Sequence, residues 1–134
     1  WYQYEPGDFR FPEMVGAWTK DITKADIGTT AVNVYPGAQG EAQAVDFSSF
    51  KQYRLVVFGN KVGTGNQTAR LVNTANAANT VDVVYTGAAG EFVVDSGYTN
   101  LPAWATGEVL VKPMAFSSVG TDSPIYRQFL FYLR

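Results

Sequence analysis

From residue 29 onward, short runs rich in Val, Thr, Tyr and Phe recur between clusters of Gly, Asn, Ser and Pro, and this punctuation narrows most what the chain can become. β-branched and aromatic residues suit a pleated, half-buried surface, and the clusters between them carry turn chemistry. The runs predict strands at Thr29–Tyr35, Glu41–Val45, Tyr53–Asn60, Gln67–Thr74, Val81–Thr86, Glu91–Ser96, Glu108–Phe116 and Ile125–Leu133. Helical signals are nearly missing; the spacing allows one helical turn over Thr19–Ile27, capped by Thr19 or Asp21. About eight short strands without intervening helices predict an all-β, antiparallel two-sheet sandwich of jelly-roll type, with a closed barrel as the other architecture. The chain has 134 residues, enough for one domain that buries roughly two-thirds of its unfolded surface without staples.

Alternation assigns faces within the strands. Val81, Val83 and Tyr85 oppose Asp82 and Thr86, and Ile125, Phe129, Phe131 and Leu133 oppose Tyr126, Gln128 and Tyr132. Tyr53–Asn60 contains four consecutive apolar residues, Leu55 to Phe58, which predicts a central strand covered on both sides. Pro113 cannot donate to a ladder, so its strand is expected to bulge there or to lie at an edge. A tight turn through Gly63-Thr64-Gly65 is expected to join Tyr53–Asn60 to Gln67–Thr74 as a hairpin, and the Gly87–Gly90 segment to join the next pair. The longer Gly97–Gly107 connection is expected to cross between sheets.

Residues 1–28 differ in kind. Trp1, Tyr2, Tyr4, Phe9, Phe11 and Trp18 are interrupted by Pro6, Gly7 and Pro12, a pattern that suits an extended arm. The expected organisation is therefore an arm over 1–28 and a sandwich over 29–134. Such an arm needs a surface, either its own sandwich or a neighbouring subunit, where rigid aromatics bury much area at little entropic cost. The start at Trp1 rather than Met points to a processed N-terminus or to a piece of a longer chain.

The chemistry open to the chain is narrow. With no Cys and no His, there can be no Ser-His-Asp triad, Cys nucleophile or Cys/His zinc site. Ten Lys plus Arg against twelve Asp plus Glu leave a net charge of −2 without charge runs, so no footprint for nucleic acid or an anionic membrane is expected. No apolar stretch approaches the ~20 residues that span a bilayer. Carboxylates such as Asp46, Asp95 and Asp122 stand where strands meet loops, positions from which sandwich modules bind Ca²⁺ but where turn initiation is the simpler role. A glycosidase pair of carboxylates needs a cleft that a bare sandwich has little material to build. The expectation is no catalytic residue, no cofactor and no metal. One loop does combine flat rings with an amide: Tyr98, Asn100 and Trp104 could stack a sugar and take its hydroxyls, or Leu101 and Trp104 could fold back to plug the sandwich.

Three stretches carry a resemblance: Val45-Asp46-Phe47-Ser48-Ser49-Phe50 running on to Val57, Gly90-Glu91-Phe92 through Trp104, and Asp122-Ser123-Pro124-Ile125-Tyr126-Arg127 to Arg134. In strand order and turn character, residues 29–134 resemble jelly-roll domains of virion surface proteins, such as phage capsid-decoration and tail-fibre domains, and more distantly galactose-binding-like carbohydrate modules. The resemblance implies a non-enzymatic assembly or adhesion role, in a virion or outside the cell. Its partners would be copies of itself or another assembly protein, and surface glycans in the carbohydrate-binding reading.

Overall fold

A computed structural model describes residues 11–134. Ten strands form two antiparallel sheets. The first sheet runs β1 (Glu13–Thr23), β10 (Ile125–Leu133), β4 (Gln52–Lys61) and β7 (Gly90–Asp95), with β8 (Thr99–Asn100) pairing β4 beyond the end of β7. The second runs β2 (Val32–Asn33), β9 (Glu108–Ser117), β5 (Gln67–Asn73) and β6 (Thr80–Tyr85), with β3 (Gln43–Asp46) also pairing β9. The expected two-sheet sandwich is therefore present, with ten strands in place of eight. Leu55, Val57, Phe129, Phe131 and Leu133 from the first sheet join Ala69, Leu71, Val81, Val83, Val111 and Ala115 from the second in one buried core.

The segment expected to be an arm departs from that expectation at Glu13–Thr23. This stretch is β1, paired along β10, and Trp18 is only 3% exposed within the chain's own core. Its indole Nε1 donates to the carbonyl of Glu41, and the hydroxyl of Tyr35 donates to the carbonyl of Trp18. Trp18 is thus a core residue of this domain and not an interface residue. Register shifts between Met14 and Gly16 and between Thr19 and Ile22 break the alternation that would mark this strand in the sequence. Thr19–Ile27 forms no helical turn; the strand runs to Thr23 and the chain turns through Asp26 in the left-handed region, at φ 46°. Phe11 lies just before β1 and is largely exposed. The other expected interface aromatics, Trp1, Tyr2, Tyr4 and Phe9, lie outside the described residues.

Three further differences have local causes. Ile125 does not share the inward face with Phe129, because a bulge between Tyr126 and Gln128 shifts the register and turns Tyr126, fully buried, inward in its place. Pro113 neither bulges nor lies at an edge: β9 runs without a register break against β5. Its carbonyl accepts from Val34 N–H, in the gap where the opposite neighbour changes from β2 to β3. Because N–H and C=O of one strand residue point the same way, the missing donor faces that interruption. Finally, Gly63–Gly65 and Gly87–Gly90 do not close hairpins, since β4 and β7 belong to the first sheet and β5 and β6 to the second. The Gly97–Gly107 connection does cross, after pausing in β8.

β4 is internal, between β10 and β7, as its apolar run implied. Leu55 and Val57 face the core; Val56 points outward yet is nearly buried, flanked by Leu130 and Asp95 at its own level of the sheet.

Candidate functional site

Strand pairing brings three i, i+2 pairs together on the outer face of the first sheet. The β8–β4 register sets Asn100 opposite Gln52, and Arg134 N–H and C=O pair with Gln52 C=O and N–H, continuing the β10–β4 ladder by one residue. Arg134, Gln52 and Asn100 therefore form one row. The neighbouring row holds Tyr132 opposite Arg54, with Tyr98 two residues before Asn100. Opposed side chains on one face lie within contact distance, so two arginines, two tyrosines and two amides share a shallow patch.

The patch is internally braced. Arg54 donates from Nε and Nη2 to both oxygens of Asp95 in a forked pair, Nε to Oδ1 at 2.9 Å. Its guanidinium also lies 5.8 Å from the Tyr98 ring and 5.9 Å from the Tyr132 ring. The Arg134 guanidinium sits 4.0 Å over the Tyr98 ring, and its Nε donates to Gln52 Oε1 at 2.8 Å. The hydrogen bonds from Arg54, helped by the Gly97 amide, hold Asp95 below the usual aspartate range against the opposing effect of burial.

Of the three residues expected to form a sugar platform, the structure brings two together. Tyr98 and Asn100 lie on this face, whereas Trp104 packs edge-on against Phe47 at 5.9 Å and borders the core. One face of Tyr98 is covered by Arg134. Sequence reasoning missed Gln52, Arg54, Tyr132 and Arg134. Their i, i+2 spacing on predicted strands was the available signal, but only the register joins them to Tyr98.

Below the patch, the same face turns apolar. Successive rows carry Ala17, Leu130 and Val56 beside Asp95, then Thr19 and Gln128 beside Phe58 and Val93, with Met14 beside Tyr132, so the apolar residues run diagonally across the face. Val93 is 57% exposed and Met14 53%. At the far end a second charged group closes the band: the bulge extrudes Arg127, which bonds Glu91 and Asp21 on two other strands. Arg127 holds Glu91 below its ordinary carboxylate range. An apolar centre between charged margins is the usual anatomy of a protein interface.

The two edges of this sheet are treated differently. The side-chain amide of Gln43 mimics a strand for β1, accepting from Ala17 N–H at 3.2 Å and donating to Ala17 C=O at 2.6 Å. On β7, Ser96 N–H donates to Leu55 C=O. Alternation then directs the backbone of Val94 and Phe92 to β4 and that of Glu91, Val93 and Asp95 to the outer edge, where no described residue pairs with it.

The three loop carboxylates lie in separate places. Asp46 accepts from Ser48 N–H, Asp95 belongs to the patch, and Asp122 is buried. Among the described residues, no group of three or more Asp, Glu, His or Cys could hold a metal. Asp122 accepts from the amides of Gly65 at 2.8 Å and Thr64 at 3.2 Å, from Gln67 Nε2 at 2.9 Å and from Ser117 Oγ at 2.9 Å. Burial would raise its pKa, but these four donors outweigh burial and hold it below the ordinary value. The group locks the β4–β5 crossover to the β9–β10 loop.

No protein-family model matches the chain, and no curated protein matches it at a significant level.

Proposed function

We propose that this chain is a non-enzymatic structural module of an assembly, most readily a virion surface component of the capsid-decoration or tail-fibre kind. It would associate with copies of itself or with another assembly protein through its N-terminal residues, its open sheet edge and the outer face of its first sheet. The observation that carries the reading is the apolar band of Met14, Leu130, Phe58 and Val93, bounded by the Arg54–Asp95 and Arg127–Glu91 pairs. Isolated exposed apolar residues are ordinary on a monomer, but here exposed Met14 and Val93 are linked across the sheet by half-buried Leu130 and Phe58, an arrangement that favours a covered surface. Among the described residues β7 has no neighbour on its outer edge, and that edge, which carries Glu91 and Asp95 but no Pro, Lys or bulge, adds a second means of association.

Sedimentation of the full chain at micromolar concentration tests this. The expected result is an oligomer that dissociates in Val93→Lys without loss of melting temperature, because a lysine there interrupts both band and edge. A wild-type monomer would overturn self-association and leave the second reading, a carbohydrate-binding module. That reading draws its support from the Tyr98–Asn100 patch.

A further inference from the structure

We propose that the patch around Arg134 is a binding site for a carboxylate-bearing saccharide. Among the described arginines, Arg54, Arg70 and Arg127 each pair with a carboxylate, namely Asp95, Asp82, and Glu91 with Asp21. Arg134 instead bonds a neutral amide through Nε and sits over the Tyr98 ring, 4.0 Å from its centroid. Stacking and the Gln52 bond fix the plane of the guanidinium, and the backbone pairing of Arg134 with Gln52 fixes its root. Among the described residues, Nη1 and Nη2 have no hydrogen-bond partner and remain as a preorganised fork on an exposed residue, a geometry that matches the two oxygens of a carboxylate. Arg54 lies near the same ring, but its charge is matched by Asp95 and its donors stay there, so the unmatched positive charge of the patch is that of Arg134.

The surroundings of the fork favour a sugar acid over a bare anion. Asn100 is exposed in the same row, and Tyr132 borders it in the next. An amide and a phenol supply neutral donors and acceptors one strand spacing away, where ring hydroxyls would need them. The chain's net charge of −2 offers no general attraction for anions, so capture must come from this local fork.

The site does not require self-association, and its test reads a different quantity. The intact protein is titrated with tri-galacturonate, with the neutral galactose trisaccharide and with a tri-glutamate peptide, following amide and side-chain NMR signals. The expected result is a response to the uronide confined to Gln52, Tyr98, Asn100, Tyr132 and Arg134. Arg134→Lys keeps the charge but loses the fork and should weaken binding about tenfold or more at unchanged melting temperature. Tyr98→Phe keeps the stack and should bind as wild type. No response at these residues, a neutral sugar binding as well as the acidic one, or a peptide binding as well as the uronide would each overturn the assignment.

Discussion

Asp122 shows how one side chain can settle the path of two loops. Gly63 has φ +123°, and a Cβ there would collide with Asp122 Oδ1; a Cβ on Gly65 would meet Ser117 Oγ at 2.6 Å. The glycines that looked like a hairpin turn are instead the walls of a carboxylate cradle. Asp122→Ala strands the Gly65 and Thr64 amides and takes one acceptor from Gln67 Nε2, which keeps Gly65 C=O and Ser117 Oγ, and should cost about 2–4 kcal/mol at neutral pH. The pH dependence follows from the direction of the shift. A carboxylate held below its unfolded pKa stabilises the fold fully above about pH 4, and that contribution is lost as pH falls through the folded value. Chemical denaturation of wild type and Asp122→Ala from pH 7 to pH 2 should therefore show a gap that narrows in acid. A constant gap would mean that the ionised form is not the lock.

At the scale of elements, edge management separates β1 from β7. Gln43→Leu removes the amide that caps Ala17 and should lower stability by about 1 kcal/mol. It should also raise the tendency to aggregate, because two β1 backbone groups become available to another chain. Equilibrium unfolding and light scattering check this; an unchanged scattering profile would show that the edge is protected by something other than Gln43. Most strands were legible from alternation and turn residues, including the central position of β4. β1 was not, because Pro12 and the aromatics before it read as irregular and its bulges, between Met14 and Gly16 and between Thr19 and Ile22, break the period of two. β8 was not, because two residues carry no period.

For the molecule as a whole, the first sheet begins at Glu13, so the boundary that matters for folding lies before β1. Deleting residues 1–18 removes half of that strand together with Trp18, a core truncation worth about 3–5 kcal/mol by itself. Such a chain should show no cooperative thermal transition by circular dichroism. Deleting residues 1–11 leaves β1 complete and should preserve the transition. A cooperative melt of the shorter chain near that of wild type would show that β1 is dispensable to the core.

Sequence alone determined the class of fold and the poverty of reactive groups. Alternating apolar residues can be buried only on a pleated face, and a chain without Cys or His lacks the side chains that most catalytic sites and zinc centres require. Tertiary structure alone decided which strands are neighbours and in what register. Tyr98, Gln52, Arg54, Tyr132 and Arg134 are scattered over more than eighty positions and meet only because β4 lies between β8 and β10. Periodicity specifies which way a side chain points, whereas long-range pairing is chosen by the packing of the whole core and leaves no local trace.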